Sequence, residues 1–411
     1  MTTNGTTTNS LHRRLLPLYV GVALQGFLLW LPVEKLFMNE IGFDPASVGL
    51  MAAAYAGIVP FIEVPSGILA DRWSRRGVLV ISSVALAVST LIGGLSHNVA
   101  TYIVGALVLG VYFALYSGTV ESMVYDTVVE ETGDGAAFER LIGRARFVES
   151  MALVASSLLG GWVASLLPTR VTYLLSVPFV LASIIAYLRF REPRLHRAGE
   201  PAPLRRHIAT TVRTLTHQRA LAPVILLSVL VAVLMQTVFE FGPLWLVAVS
   251  APAVLFGPYW AGLTSTIGIG GLLAGRLDLT RPATLAAVGG LIVASAAALT
   301  VTTSLVAITA AQIVLALLLM VISVHVSQLL HDAVPAEVRT GVASGVSTFT
   351  WLVFLPFSLV FGAVSDAVGV HAAAALIVGF AVLVVALMVV AARRKAPVAE
   401  PEMPAPALVA A

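Results

Sequence analysis

Apolar residues in this chain run in blocks. Twelve nearly unbroken stretches occupy about 15–38, 45–70, 77–96, 100–126, 141–166, 171–190, 221–247, 254–275, 283–303, 305–329, 341–364 and 370–392. Each is close to the roughly 20 residues that carry a helix across about 30 Å of hydrocarbon. The runs are continuously apolar rather than alternating, so they predict membrane helices and not the strands of a barrel. Eleven polar connections join them.

Composition agrees. Of 411 residues, 58% are hydrophobic and 11% charged, and the mean hydropathy is +0.96. Soluble domains carry about 25% charged residues, and so apolar a chain finds its solvent in a bilayer. Cysteine is absent, which excludes disulfides, thiolate metal sites and cysteine nucleophiles. The opening "MTTNGTTTNSLHRR" is polar, lacks the pattern of a cleavable leader, and is expected to be a disordered cytoplasmic terminus over 1–14.

A net charge of +3 and an isoelectric point near 9.3 would suit a nucleic-acid binder. The placement of the charges argues for topology instead. With the amino terminus in the cytoplasm, Arg13, Arg14, Arg72, Arg75, Arg76, Arg140, the Arg-rich stretch 189–219, Arg276, Arg281, Arg339, Arg393, Arg394 and Lys395 fall on the inner side. Only Lys35 and Arg170 fall outside, as the positive-inside rule requires. The expectation is a monomeric multi-pass protein of the inner (plasma) membrane with both termini cytoplasmic, in contact with lipid and not with nucleic acid.

The longest connection, 191–220, divides the chain into halves of six spans, 15–190 and 221–392. Within it Ile208, Val212 and Leu215 recur at helical spacing against Arg205, Arg206 and Arg213. That pattern fits either a short basic amphipathic helix on anionic lipid or a plain solvated linker. The Pro/Ala-rich tail, 393–411, reads as disordered. The halves carry traces of a repeat. Gly67-Ile-Leu-Ala-Asp-Arg follows the second span and Gly271-Leu-Leu-Ala-Gly-Arg the eighth. "AFERLIGRA" (137–145) opens the fifth span and "AEVRTGVA" (336–343) the eleventh. Two repeated halves are the layout of a rocker-type carrier. The predicted fold is therefore all-α, with twelve transmembrane helices in two pseudo-symmetric six-helix bundles.

Between spans two and three stands "GILADRWSRR". It resembles the G-x-x-x-D-R-x-G-R-R loop of the major facilitator superfamily through Gly67, Asp71, Arg72, Arg75 and Arg76. Ser74 replaces the second glycine, which lacks glycine's freedom at positive φ. The resemblance covers about 13–395. It implies that Asp71 faces the amino end of span eleven near Arg339, where dipole and charge both favour a carboxylate. That contact would latch the halves on the cytoplasmic side. Arg75 or Arg76 can reach Asp126 at the inner end of span four. The alternative is a loop that sets topology without switching.

Ionisable groups inside spans are costly and are functional candidates by default. These are Glu63, Glu121, Arg144, Arg146, Glu149 and Glu240, with His325 near an inner end. At 1.5 Å per residue, Glu63, Glu121, Arg146 and Glu149 lie about 8–12 Å deep in one half. "EVPSG" and "SGTVESMVYD" also resemble a bacterial subgroup of the superfamily that keeps Glu at both places. Either the three acids share Arg144 and Arg146 in a buried ion network, or one carboxyl is left to take a proton. Glu240 has no evident cation beside it, and in this superfamily span seven lines the central cavity. It reads as a site for a proton or a cationic substrate beside Gln236 and Phe239, or as an acid reaching for the outer surface. Gln25, Phe27, Trp30, Tyr112, Tyr116, Gln312 and Trp351 complete a mildly polar, aromatic cavity set.

Span four lacks the R-x-x-x-G-like pattern of many proton-coupled members. The G-P-x-x-G-G pattern of drug antiporters survives only as Gly160-Gly161. No P-loop, nucleotide-binding motif or metal-ligand spacing is present, so no cofactor, metal or enzymatic activity is expected. The reading that results is a secondary active transporter that exports small amphipathic or cationic compounds against protons. An uptake symporter for a nutrient or lipid-like metabolite and a non-transporting membrane sensor stand as its alternatives.

Overall fold

A computed structural model describes residues 3–133, 137–193, 222–333 and 339–393. Among these the chain is almost entirely helical: α1 (Thr3–Gln25), a 3-10 turn (Leu31–Val33), α2 (Glu34–Glu40), α3 (Pro45–Arg72), α4 (Arg75–Leu95), α5 (Val99–Tyr116), α6 (Thr119–Thr132), α7 (Phe138–Leu166), α8 (Arg170–Arg189), α9 (Ala222–Phe241), α10 (Pro243–Ala248), α11 (Ala253–Ala274), α12 (Pro282–Val301), α13 (Leu305–Ala333), α14 (Arg339–Val368) and α15 (Val370–Arg393). Ten segments of the described residues are long and apolar enough to cross a membrane. The other two expected spans coincide with α1 and α11. The first ends early, and Gly, Pro and Thr dilute the second. The linker helix, most of 191–220, and the tail beyond Arg393 lie outside the described residues.

The helix starts follow local chemistry. Asp44 accepts the Ser47 backbone N–H at 2.7 Å, with Pro45 as the first helical residue of α3. Ser74 caps α4 by accepting the Gly77 N–H at 2.9 Å, and Asn98 caps α5 through Thr101 N–H at 3.0 Å. Short polar side chains supply acceptors for N–H groups that a helix start leaves orphaned.

Three expected spans are broken. Span one stops at Gln25 and resumes as the 3-10 turn and α2. The N–H of Leu29, freed by the break, donates to Ser176 Oγ of α8 at 2.9 Å. Non-helical backbone at this depth persists only with such a partner. Span four divides at Gly118, whose φ of +68° suits glycine. Span seven divides at Gly242, where a Cβ would lie 2.3 Å from both Val238 O and the Tyr259 hydroxyl. Nor is the amino terminus irregular up to residue 14: α1 begins at Thr3. Leu11, Leu15 and Leu18 are buried, and Arg14 pairs with Glu130 at 3.0 Å and Glu131 at 2.5 Å on α6. The apolar face and the ion pairs give that segment a place to dock.

The helices sort into two groups. In the first, α4 packs on α5 and α8, α3 on α5, and α1 on α7 and α8; in the second, α12 packs on α13 and α15, and α9 on α13, α14 and α15. The groups meet chiefly along two seams, α3 on α14 and α7 on α11. Both seams close near the end that carries Lys35. A Cβ on Gly49 would lie 2.5 Å from Ser358 O and 2.9 Å from Gly362 Cα; one on Gly161 would lie 2.7 Å from Gly257 N. Toward the opposite end, which carries Arg75, Cβ atoms built on Gly143 of α7 and on Gly268 and Gly271 of α11 meet nothing within 4 Å. The α7–α11 seam is therefore tight at the Lys35 end, whereas these three glycines at the Arg75 end stand in open space.

Two outcomes follow from these contacts. Gly161→Val is expected to overpack the seam by about 1–3 kcal/mol and lower the thermal midpoint in detergent, while Gly271→Val leaves it unchanged. Asp44→Ala should cost about 1 kcal/mol at neutral pH. The hydrogen bonds from the Ser47 side chain and backbone hold the Asp44 carboxyl below its ordinary range. Its contribution is therefore complete above the unfolded value, near 4, and is lost as pH falls through the lower native value. A pH series of unfolding midpoints for both proteins checks the sign.

Candidate functional site

The break after Gln25 turns Glu34 and Lys35 inward between the halves. Lys35 is 2% exposed. Its Nζ donates to Glu34 Oε2 at 2.8 Å and to Glu240 Oε1 of α9. The remaining carboxylate oxygens are also satisfied. Tyr55 of α3 donates its hydroxyl to Glu240 Oε2 at 2.7 Å and accepts from Gln236 Nε2 at 3.1 Å. Tyr102 of α5 donates to Glu34 Oε1 at 3.0 Å and meets the Tyr173 hydroxyl at 2.8 Å. Trp30 stacks on Tyr173 at 5.1 Å, and Trp351 of α14 meets the Tyr55 ring edge-on at 6.1 Å. Two carboxylates thus share one ammonium, and the shared bond joins the halves. The expectation that Glu240 stands without a cation is corrected: its partner is the lysine that charge counting placed at the outer surface.

The second constellation belongs to the first half. A cavity of about 180 Å³ is lined by Val22, Tyr116, Gly118, Glu121, Arg146 and Glu149 among others. Glu149 Oε1 accepts from the Tyr116 hydroxyl at 3.0 Å, and among the described residues no cation pairs with it. The Tyr112 and Tyr116 rings stack at 5.5 Å. Arg146 pairs with Glu121, both well exposed to the cavity. Behind them Tyr187 donates to Gln25 Oε1 at 2.5 Å, and Gln25 Nε2 donates to Ser83 at 3.2 Å. The expected shared network of three acids and two arginines does not form. Arg144 points to His12, because α1 reaches past the cavity to meet it. Glu63 lies on α3, where its Oε1 accepts weakly from Ser117 at 3.4 Å. Its Oε2 is buried with no partner among the described residues, and Ser347 of α14 lies beside the carboxyl.

The other expected residues scatter. Phe27 packs on Phe179 at 4.6 Å and Phe239 on Trp260 at 6.0 Å. Gln312 is buried, donating to Gly242 O at 3.2 Å and accepting from Tyr259. His325 lines a separate, largely apolar cavity of about 250 Å³ with Leu227, Leu285 and Met388.

At the Arg75 end, Arg75 Nη1 lies 2.5 Å from Asp126 Oδ2, and Arg76 donates to Phe190 O at 3.3 Å. Ser74 earns its place in the loop twice. It caps α4, and its hydroxyl donates to Glu192 Oε2 at 2.6 Å, while Glu192 Oε1 accepts the Arg75 N–H at 2.7 Å. Gly67 falls within α3, and the side chains of Asp71, Arg72 and Arg339, and with them the expected latch, lie outside the described residues. Sequence reasoning missed Glu34, Lys35, Tyr55 and Glu192. The signal for the first pair was their position inside the apolar run 15–38.

Two repeated helical halves, closed over a buried ion pair at one end, define a multi-pass membrane protein with a carrier-type scaffold. A family model described as Major Facilitator Superfamily matches residues 15–354. The chain belongs to that superfamily. It is 25% identical to a probable nitrate transporter NarT of Staphylococcus haemolyticus over 165 residues, 39% of this chain and 39% of that protein. It is also 25% identical to multidrug resistance protein 1 of Bacillus subtilis over 173 residues, 42% of this chain and 43% of that protein. The matched stretches span about two fifths of those relatives' length. In fold it resembles a bacterial homologue of the human lysosomal transporter Spinster in an inward-facing, unoccupied conformation (TM-score 0.76, 15% identity, 94% of this chain and 97% of that one). It likewise resembles the nucleoside transporter NupG (TM-score 0.74, 14% identity, 94% and 100%).

Lys35→Met leaves Glu34 and Glu240 buried with no cation between them. Removing one member of a buried pair costs about 3–5 kcal/mol, so the variant should unfold at markedly lower temperature than the parent in the same detergent. A midpoint within a degree or so of the parent would mean that the ammonium is not buried in this way.

Proposed function

We propose that this chain is a secondary active transporter that works by alternating access and exports small amphipathic cations against inward-moving protons. One observation carries the reading: the Glu149 carboxylate faces a cavity in the first half with a phenol as hydrogen-bond partner and stacked tyrosine rings beside it, and among the described residues it forms no ion pair, its neighbour Arg146 being paired with Glu121. A carboxylate in that setting attracts an organic cation, and aromatic faces hold its apolar part. The cavity's Arg146 is engaged by Glu121, which disfavours an anionic substrate.

Arginine placement puts the Arg75 end in the cytoplasm and the Lys35 end outside. The arrangement then corresponds to a state closed to the exterior, in which the cavity takes up its cation from within. In the alternate state the Asp71–Arg339 latch closes the cytoplasmic end. Exchange of one proton for one monovalent cation moves no net charge, so the pH difference alone drives it, and each pH unit sustains about a tenfold concentration ratio.

The test uses proteoliposomes with an imposed pH gradient and a fluorescent lipophilic cation. The parent should accumulate the dye, and Glu149→Gln should lose at least tenfold of the initial rate. Equal rates in parent and variant would remove Glu149 from the site, and no gradient-dependent movement by the parent would overturn proton-driven export.

A further inference from the structure

We infer that the rim between the halves at the Lys35 end is a binding site for a small organic amine, and that a molecule seated there holds the halves together. The site goes beyond the export reading, for it shares no residue with the cavity that holds Glu149. A cavity of about 200 Å³ crosses the seam at this rim. Phe43, Asp44 and Val48 line it from the first half, and Leu244, Ser365 and Val370 from the second.

Unused hydrogen-bonding capacity marks the cavity as more than a packing gap. Ser365 is 2% exposed, and its hydroxyl is buried with no partner among the described residues. Lys35, which also lines the cavity, carries three N–H donors. Its acceptors among the described residues are two, Glu34 and Glu240. Buried polar groups are seldom left so. At the exposed mouth, Asp44 Oδ1 accepts from the Ser47 N–H at 2.7 Å and the Ser47 hydroxyl at 2.6 Å. Asp44 Oδ2 has no partner among the described residues. Between these polar ends the wall is apolar.

That order of surfaces selects a complementary molecule. Its inner end carries an oxygen that accepts from the Lys35 ammonium and the Ser365 hydroxyl. Its middle is apolar, and its outer end carries an ammonium that meets Asp44 Oδ2. An anion is disfavoured, because Glu34, Glu240 and Asp44 outnumber the one ammonium at this rim. Such a ligand touches both halves, and it can do so only while the rim is closed. Binding therefore favours the closed arrangement by the difference in its affinity for the two states. Water is the competing occupant, since it can use the same polar atoms, but it gives no preference among added amines.

The test follows the thermal midpoint of the full chain in nanodiscs as ligand is added, since a ligand of the folded state raises it. The probe is para-methoxybenzylamine. Its comparisons are para-ethylbenzylamine, which lacks the oxygen, para-methoxybenzyl alcohol, which lacks the charge, and para-methoxybenzoate, which reverses it. The probe should half-saturate at a concentration about fivefold lower than the ethyl amine or the alcohol, and the benzoate should give no shift. Ser365→Ala, which has no described bond to lose, should bind the two amines equally. Asp44→Asn, which keeps the capping oxygen, should bind the amine and the alcohol equally. Glu149→Gln should respond like the parent, so failure of the export reading leaves this site standing. Because the chain contains no cysteine, nitroxides on Leu167→Cys and Ala367→Cys, exposed positions on the two halves, report separation as a distance. Saturating probe should shrink the longer-distance population. No midpoint shift, equal affinity for all four compounds, or a shift lost in Glu149→Gln but kept in Ser365→Ala and Asp44→Asn overturns the inference. So does a longer-distance population that the probe leaves unchanged or enlarges.

Discussion

One buried ammonium sets the terms for this structure. Lys35 lies between the halves with Glu34 on its own side and Glu240 on the other. An unpaired charge at that depth would destabilise the protein by several kcal/mol. Closing the Lys35 end requires the second half to bring its carboxylate to the lysine, and Tyr55 and Tyr102 complete the shell of donors. The small residues of the seams then make close approach possible. Gly49 against Gly362 and Gly161 against Gly257 let backbone touch backbone at the same end, as membrane helices do where side chains are absent. Ion pair and glycine contacts act together: the first holds only if the second permits the approach.

The breaks in the helices serve the same arrangement. Had span one run straight to residue 38, Glu34 and Lys35 would have continued along its axis. The interruption after Gln25, stabilised by Ser176 and pressed by Gly160 against Leu29 O, turns them into the interface. The break at Gly118 places Tyr116 and Glu121 on either side of a bend, so that both line the cavity that holds Glu149. Irregular backbone is confined to places where it positions polar groups.

Much of the fold was legible in the sequence because a bilayer demands long apolar runs, and the run edges match the helix ends closely for α3, α4, α8, α12 and α15. The halves were legible through the repeated loops, and the loop motif carried the family. The breaks were not, since Gly26, Gly118 and Gly242 look like many other glycines in apolar runs until a neighbour claims the freed backbone group. The site was half legible. Glu149, Glu121, Arg146 and Glu240 could be singled out by charge in apolar surroundings, but their partners could not. Pairing depends on which helix faces which, so Arg144 went to His12, Glu149 to Tyr116, and Glu240 to a lysine 205 positions away. Counting Lys35 toward topology alone hid its chemistry, although it stood inside the first apolar run.

The most direct test of the account exchanges the charges across the interface. Lys35→Glu and Glu240→Lys should each abolish transport of the lipophilic cation, whereas the double exchange keeps one ammonium between two carboxylates and should recover a substantial fraction of it. A double variant no more active than the weaker single variant, or a fully active Lys35→Glu protein, would contradict the claim that this bond is what closes the two halves.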